Sequence, residues 1–496
     1  MGLIASWFGG AKRRGREGPG KEAVTNDPFD LEYPLLWLSP NDPFTVRHAV
    51  EGCAIFGGVG SSKSTGSGAT LARGFLAAGQ GGLVLCVKPG ERQVWEEYAV
   101  LTGRSDSLIV VSPSQPWRCN LLNYALKRPG VVGSRTEQVV SLFMTIIEAA
   151  ERGEKGGGAK NDKFWERALR QLLRNAIEIC VAAHGTVSIP MLHKLIASAP
   201  RSHDEVHDPV WQQDSLCYQL IVEGDARTKG LREQTDFDLA ATYFLREFVD
   251  FPNETRGSVL ATWGTVADVL LRGHMAELFG GETNFVPDVS FNGAVIILDL
   301  PVKVYGPAGV LVQAAFKYLW QLAAEQRDVT ANPRPAFLFI DEAHELVTDY
   351  DMQFFATARS SRICAVLISQ NLSNYYAVMG GETGRHRVEG ALANLNTKIF
   401  HANGHAETNR WASSLFAKHW QVKGTFSRQR GEARDSATGG GSDSLESKVL
   451  EAEFTTLKKG GPENNGCAEA IVFQGGRIFR ATGDTYLRTI FRQGGR

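Results

Sequence analysis

Strand-length apolar runs constrain the fold of this chain more strongly than any other feature of its sequence. Helical patterning separates several of them, notably from Thr65 to Ala78 and from Pro307 to Gln326. Continuous apolar strands that alternate with helices are typical of a parallel sheet buried on both faces. The sequence therefore predicts an α/β fold with strands at His48–Phe56, Gly82–Val87, Leu108–Val111, Ala294–Leu300, Ala336–Ile340, Ile363–Ser369 and Thr397–His401.

A long helical region interrupts this alternation between the third and fourth apolar runs. Its clearest helix starts near Asp162, where apolar residues such as Leu169, Leu172 and Leu173 recur at helical spacing. Such a stripe is typical of a packed core, so we assign no chemistry to it. Because strand-like runs lie on both sides, the sequence predicts one all-helical domain, residues 131–285, inserted between strands of a single sheet.

The N-terminal region, residues 1–30, is basic and rich in glycine, and we predict a flexible tail there. A second interpretation stays open. The apolar residues Leu3, Ile4, Trp7 and Phe8 precede a basic cluster, a pattern that also suits a short anchor on a membrane surface.

The C-terminal region changes character twice. Residues 425–448 are polar and rich in glycine and serine, which predicts a disordered linker. Residues 449–496 recover apolar runs, so we expect this segment to pack on the sheet domain. Within it, Gln474–Gly476 predicts a hairpin turn between strands at Ala470–Phe473 and Arg477–Arg480.

Bulk composition excludes several classes of protein. No window of 18 consecutive apolar residues is present, so the sequence predicts no membrane-spanning helix. The seven cysteines are scattered singly, which indicates a reducing compartment and no zinc site. With 53 basic and 54 acidic residues, the net charge of −1 does not indicate a nucleic-acid binder, so any such surface would be local.

A glycine-rich loop after the first apolar run carries the clearest chemistry. It fits the phosphate-loop pattern G-x-x-x-x-G-K-[ST], except that Ser62 stands where the last glycine is expected. Backbone N–H groups of such a loop point at phosphates, Lys63 reaches the terminal ones, and Ser64 offers its hydroxyl to Mg²⁺. The alternative is a polar turn with an incidental lysine. The predicted nucleotide-binding residues are Gly57, Gly58, Gly60, Ser61, Ser62, Lys63, Ser64 and Thr65.

Paired carboxylates follow a later apolar run. Asp341 and Glu342 come directly after Ala336–Ile340, where a Walker-B aspartate holds Mg²⁺ and the next acid orients the attacking water. Two solvated acids at a strand end are the alternative for this motif alone. Downstream of a phosphate loop, the pair predicts an ATPase that uses ATP and Mg²⁺, with Lys63 and Glu342 as catalytic residues and Ser64 and Asp341 as metal ligands.

Three further residues are weaker catalytic candidates. Gln370 ends the run Ile363–Ser369, where it either faces the γ-phosphate or lies in solvent. Arg359 and Arg362 lie between the carboxylates and this run. One of them is a candidate arginine finger that reaches the nucleotide of a neighbouring subunit; the alternative is a solvated helix face.

The order of these motifs resembles the coupling-protein ATPases of type IV secretion and conjugation, the TraG/TraD-like group of P-loop proteins. The resemblance spans roughly residues 48–415 and rests on the loop Gly57–Ser64, Val87-Lys-Pro-Gly-Glu91, Phe164-Trp165, Ile340-Asp-Glu-Ala343, Ser369-Gln370-Asn371 and Asn396-Thr-Lys-Ile399. It implies a RecA-like P-loop sheet with an inserted all-helical domain. It also implies a homo-hexameric ring with ATP sites between subunits and DNA or a DNA–protein substrate as cargo.

The sequence departs from the family pattern in four respects. Ser62 replaces a glycine, Val87 replaces an acidic residue, Lys88 and Pro89 stand in exchanged order, and the usual N-terminal membrane helices are missing. The missing helices argue against direct anchoring to a membrane channel. With the scattered cysteines, we predict a cytoplasmic protein, at most peripheral at the inner membrane through partners or the weak N-terminal anchor.

We therefore predict that residues 31–130 and 286–424 form a nucleotide-binding domain. The predicted function is ATP hydrolysis that moves or recruits DNA, single-stranded or bound to a relaxase, to a type IV secretion system. Two rivals remain open. One is a nucleotide-binding recruitment module that does not hydrolyse ATP. Ser62 favours this rival, and Glu342 argues against it. The other is a related DNA motor for genome packaging or chromosome movement.

Overall fold

Parallel strands dominate the computed structural model, which describes residues 25–128, 135–151, 162–429 and 436–494. The strands are β1 (Pro34–Ser39), β2 (Asp42–Thr45), β3 (Cys53–Phe56), β4 (Gly81–Leu85), β5 (Leu108–Val111), β6 (Val295–Leu298), β7 (Ala336–Ile340), β8 (Ile363–Ser369), β9 (Thr397–Phe400), β10 (Lys418–Gln429), β11 (Ser436–Ser447), β12 (Cys467–Gln474) and β13 (Tyr486–Arg492).

Helices fill most of the intervening chain. They are α1 (Val46–Val50), α2 (Ala69–Ala77), α3 (Glu91–Thr102), α4 (Leu121–Lys127), α5 (Arg135–Glu151), α6 (Asp162–His184), α7 (Ile189–Ala197), α8 (His203–Val206), α9 (Pro209–Asp214), α10 (Leu216–Asp225), α11 (Leu231–Thr242), α12 (Asn253–Leu271), α13 (Gly273–Phe279), α14 (Val302–Gln326), α15 (Asp349–Thr357), α16 (Leu372–Met379), α17 (Gly381–Asn394), α18 (Ala406–Leu415) and α19 (Glu453–Thr456).

One large sheet organises the molecule, with the strand order β13-β12-β9-β3-β8-β7-β4-β6-β5. The strands from β9 to β5 are parallel, whereas β12 pairs antiparallel with both β9 and β13. Each face of the parallel part is covered by its own apolar core, one including Phe75 of α2 and Trp95 of α3, the other Phe316 of α14. This burial on both faces explains the continuous apolar runs and confirms the predicted α/β fold.

The inserted helical domain lies between β5 and β6, which pair with each other in the sheet. In the described residues the intervening chain contains helices α4 to α13. Their apolar faces bury large side chains such as Phe143 of α5 and Trp263 of α12, whose rings meet edge to face at 5.2 Å. The stripe of α6 is core, as predicted. A RecA-like sheet with an inserted all-helical domain is therefore the observed fold.

The first predicted strand is wrong in its N-terminal half. Residues Val46–Val50 form helix α1, and only Cys53–Phe56 form β3. Gly52 makes the turn between them with a φ of 79°, a backbone angle that a residue with a side chain rarely adopts. The preceding hairpin of β1 and β2 has no counterpart in the predicted strands.

The predicted disordered linker at 425–448 is also wrong for the residues that the structure describes there. Strands β10 and β11 pair in antiparallel register from Lys418 opposite Ser447 to Gln429 opposite Ser436. The two strands consist mainly of polar residues and glycine, a composition that is also typical of a disordered segment. The sequence patterns of the two states therefore coincide. Residues 430–435 lie outside the described residues.

The C-terminal segment packs on the sheet, but its second strand starts later than expected. Strand β12 extends the sheet beside β9, and β13 begins at Tyr486 rather than at Arg477. Arg477 instead donates hydrogen bonds to the side chain of Gln474 and to the carbonyl of Pro43. Of the predicted tail, residues 1–24 lie outside the described residues.

Among the described helices, none by itself has the length and apolar composition of a membrane span. Two consecutive helical stretches, Phe164–His184 and Ile189–Ala197, reach these limits only when they are counted together, and they are bent by 114° relative to each other.

Candidate nucleotide site

The candidate site lies at the carboxyl edge of the parallel strands. Gly57 follows β3, Gln370 follows β8, Asp341 follows β7 and Lys88 closely follows β4, and these four strands are neighbours in the sheet. Parallel strands end at one common edge, so residues that are more than 300 positions apart in the sequence meet there. This is where ligands bind in open α/β sheets.

The loop from Gly57 to Ser64 turns tightly between β3 and the next helix. A Cβ atom at Gly57 would collide with Ser61 Oγ and lie 2.9 Å from His401 Cβ, so only glycine fits there. Lys63 is 7% exposed and directly precedes a π-helical turn, Ser64–Gly68, that leads into α2. The predicted phosphate-binding lysine is thus held at the N-terminal end of a helix, which favours anions.

Ser62 occupies the position of the missing glycine in a left-handed conformation, with a φ of 66°. Its hydroxyl accepts hydrogen bonds from the backbone N–H of Gly460 at 3.1 Å and from Gln493 Nε2 at 3.0 Å. The loop therefore keeps the backbone conformation that a glycine would adopt, and the additional side chain contacts the C-terminal segment.

The two predicted metal ligands are in direct contact. Ser64 Oγ donates a hydrogen bond to Asp341 Oδ2 at 2.8 Å, across 277 positions of sequence. Mg²⁺ prefers such hard oxygen ligands and usually takes one or two from the protein, with water and phosphate oxygens completing its shell. Ser64 and Asp341 fit that requirement.

Glu342 lies at the centre of a polar cluster although it is only 4% exposed. Its Oε1 accepts from Lys88 Nζ at 2.8 Å and from Gln370 Nε2 at 3.2 Å, and it lies 3.5 Å from Lys63 Nζ. Burial raises the pKa of Glu342, but the hydrogen bond from Lys88 and the charges of both lysines outweigh it and lower the pKa overall. The carboxylate is therefore ionised at neutral pH.

The second oxygen of Glu342 is available for a water molecule. Among the described residues Oε2 has no hydrogen-bond partner, although it is buried and lies 3.7 Å from His344 Nδ1. Glu342 itself has a φ of 51°, a left-handed conformation that is strained for a residue with a side chain. Strain of this kind clusters at functional sites, and here it places the carboxylate beside both lysines.

Sequence reasoning missed Lys88 and Glu91 as members of the site, although it matched their segment to the family. Lys88 Nζ contacts Asp341 Oδ2 at 3.3 Å as well as Glu342. Partial burial lowers the pKa of Lys88, but Asp341, Glu342 and Glu91 together raise it, so the lysine is charged. Burial, then the Asp341 carboxylate, raises the pKa of Glu91 to about 8. The segment Val87–Glu91 reaches the site because it follows β4 at the carboxyl edge of the sheet.

The two candidate arginines differ in their surroundings. Both precede β8 and so lie at the amino edge of the sheet, away from Lys63 of their own chain. Arg362 Nη1 donates 2.8 Å hydrogen bonds to the carbonyls of Phe29 and Pro333. Arg359 has a 64% exposed side chain with one loose ion pair, 3.6 Å to Glu51. Arg362 thus caps backbone carbonyls of its own chain whereas Arg359 is largely exposed, and both stay predicted candidates for the finger.

The fold is a RecA-like sheet with an inserted helical domain, and its loop at residues 57–64 lies where proteins of this fold bind ligands. Residues 335–457 match the family model described as the TraM recognition site of TraD and TraG. This stretch of the chain is thus similar to the TraG/TraD group, the group that the motifs resemble. No curated protein matches the chain.

Solved structures of similar fold cover nearly the whole chain. The bacterial conjugative coupling protein TrwBdeltaN70, in its unbound form, is 16% identical with a TM-score of 0.56, over 93% of this chain and 90% of that one. Plasmid coupling protein TrwB in complex with the ATP analogue ADPNP is 16% identical with a TM-score of 0.57, over 92% of this chain and 90% of that one. TrwB in complex with ADP and Mg²⁺ is 15% identical with a TM-score of 0.52, over 92% of this chain and 88% of that one. At these identities the likeness shows a shared fold.

Proposed function

We propose that this protein is an ATP-hydrolysing coupling protein that recruits or moves DNA, or a DNA–protein substrate, to a type IV secretion or conjugation system. The observation that carries the proposal is the convergence of Lys63, Ser64, Asp341 and Glu342 at one edge of the sheet. Support comes from the match of residues 335–457 to the TraM recognition site and from the fold shared with TrwB, whose structures hold ADPNP or ADP and Mg²⁺.

The proposed chemistry follows from the side chains of this chain. Lys63 and the backbone N–H groups of the loop hold the nucleotide phosphates, while Ser64 and Asp341 hold Mg²⁺. When bound, Mg²⁺ supplies neutralisation of charge on the phosphate oxygens. Oε2 of Glu342 accepts a hydrogen bond from the attacking water and orients it, and Gln370 keeps Oε1 in place.

The proposed assembly is a homo-hexameric ring. Arg359 is the candidate finger because its guanidinium lies at the surface, where a neighbouring subunit can be reached. DNA, in single-stranded form or bound to a relaxase, is the proposed cargo. We place the protein in the cytoplasm, peripheral at the inner membrane through type IV secretion partners or through the apolar N-terminal residues.

Steady-state ATP hydrolysis tests this function directly. Turnover is measured with no DNA, with single-stranded DNA and with double-stranded DNA, for the wild type, Lys63→Ala and Glu342→Gln. We expect DNA to stimulate turnover in the wild type. Both variants should lose turnover, Glu342→Gln by a factor of about 10² to 10⁴ because Glu342 orients the water. Glu342→Gln is expected to retain ATP binding.

Tight ATP binding by the wild type with no turnover under any of these conditions would overturn the hydrolytic function and favour the recruitment module. Stimulation by double-stranded DNA alone would favour a packaging or chromosome motor.

A further inference from the structure

The C-terminal segment contacts the phosphate loop through one side chain, Gln493. Its Nε2 donates to Ser62 Oγ at 3.0 Å and to Thr65 Oγ1 at 2.6 Å. Its Oε1 accepts from the backbone N–H of Gly461 at 2.6 Å. Gln493 therefore joins three pieces of chain: the phosphate loop, the start of the helix after it and the turn at Gly460–Gly461.

The backbone at Gly460 completes this contact. Its N–H donates to Ser62 Oγ, and a Cβ atom at position 460 would collide with Ser62 Oγ and with Gln493 Oε1. The turn thus packs closely against these two side chains, and a side chain at position 460 would displace them. We name the contact among Ser62, Thr65, Gly460, Gly461 and Gln493 the loop clasp.

The clasp offsets an energetic cost in the phosphate loop. The left-handed conformation that Ser62 adopts is unfavourable for a residue with a side chain. The two hydrogen bonds to its hydroxyl offset that cost. In a loop with glycine at this position, the same conformation needs no external support.

We propose that Ser62 and Gln493 are positioning residues that hold the phosphate loop ready for nucleotide and couple nucleotide binding to the C-terminal segment. This inference rests on the proposed function only in so far as nucleotide binds at the loop. Coupling between two sites is reciprocal, so a segment that favours nucleotide binding is in turn stabilised by bound nucleotide.

Nucleotide affinity is the first readout, with a fluorescent ATP analogue and Mg²⁺ as the probe. Gln493→Ala removes three hydrogen bonds, and we expect it to weaken binding of the analogue by about two- to tenfold. Gln493→Glu keeps the acceptor for Gly461 but loses the donor to Ser62 and Thr65, and it should weaken binding similarly. Arg488→Ala is the matched control, because Arg488 lies on β13, shortly before Gln493, and pairs with Glu469 rather than with the phosphate loop.

Ser62→Gly separates positioning from a general role in packing. It removes the side chain that makes the left-handed conformation unfavourable, together with its hydrogen bonds to Gln493 and Gly460, and its affinity for the analogue is the reference for the next step. In the Ser62→Gly background, Gln493→Ala should weaken binding of the analogue clearly less than it does in the wild type. The hydrogen bond between the two side chains is already absent there.

Hydrogen exchange provides the second readout, which a merely structural contact would not move. In the wild type, the analogue is expected to slow amide exchange at Gly460, Gly461 and the end of β13. In Ser62→Gly that protection should be lost although the analogue still binds.

Equal cost of Gln493→Ala in both backgrounds would overturn the proposal, as would unchanged exchange in the nucleotide-bound wild type. A wild type that binds the analogue but never hydrolyses ATP overturns the proposed function alone, because both readouts of the clasp depend on binding.

Discussion

The two edges of the parallel sheet use basic residues in different ways. At the carboxyl edge, Lys63 and Lys88 contact the side-chain carboxylates of Asp341 and Glu342, which the ends of β7 and its neighbours bring together. These partners are all side chains. Phosphate can replace a carboxylate as the partner of a lysine at little cost, since both are anions.

At the amino edge the partners are backbone carbonyls. Arg104 donates to the carbonyls of Leu76 and Gly293, Arg334 to that of Gly79, and Arg362 to those of Phe29 and Pro333. Each of these arginines directly precedes a strand or lies in the turn before it. Removing one leaves partly buried carbonyls without a partner, which costs stability.

The difference separates residues that bind a ligand from residues that hold the loops between elements. Basic character alone does not distinguish them in sequence. The partner of each basic group decides its role, and substitutions at three residues test that distinction.

The largest expected effect concerns Arg359, the arginine of the amino edge that caps no carbonyl in the described residues. If it acts as a finger in a ring, Arg359→Ala lowers turnover on the order of 10³, about 4 kcal/mol in the barrier. Its unfolding free energy should stay within about 0.5 kcal/mol of the wild type, because the side chain is exposed. Steady-state hydrolysis at ring-forming protein concentrations measures the first effect. Wild-type turnover would remove Arg359 from the site.

The second effect concerns Lys63 at the carboxyl edge. ATP with Mg²⁺ at about 100 times its Kd should stabilise the wild type by about 2.7 kcal/mol. In Lys63→Ala the same ligand concentration should produce almost no rise in melting temperature, since the partner of the phosphates is gone. Arg362→Ala serves as the control and should keep the full rise. A rise in Lys63→Ala equal to that of the wild type would contradict the assignment of the phosphate site.

The smallest effect concerns Arg362. Arg362→Ala removes two hydrogen bonds from a charged donor and should lower the unfolding free energy by about 2 kcal/mol. Arg362 has a φ of 53°, which is unfavourable for a residue with a side chain. Arg362→Gly removes that backbone strain and should lower the unfolding free energy less than Arg362→Ala does. Denaturant unfolding measures both variants. Unchanged stability together with lost turnover would make Arg362, rather than Arg359, the catalytic arginine.

Local pattern was enough to predict much of the fold. Strands β5, β7 and β8 lie at the predicted residues, because each is a continuous apolar run that ends at a polar residue. The predicted pairing of Ser64 with Asp341 also needed only two local motifs and the rule that parallel strands end at one edge. The helical insertion followed from a change of periodicity between two strand-like regions.

Other features depend on contacts between distant segments. The ribbon of β10 and β11 has the composition of a disordered segment, and only the pairing of its backbones distinguishes the two. Lys88 sits in a segment that differs from the family pattern, so its sequence did not predict a contact with Glu342.

The sequence by itself determined the class of fold, the phosphate loop and the two carboxylates, because each is encoded by neighbouring residues whose period or spacing has a direct physical meaning. The tertiary structure alone decided that Arg362 supports a loop, that Lys88 belongs to the site and that Ser62 contacts Gln493, 431 positions away. Such roles depend on which groups meet after the chain has folded. No local pattern specifies a partner at that distance.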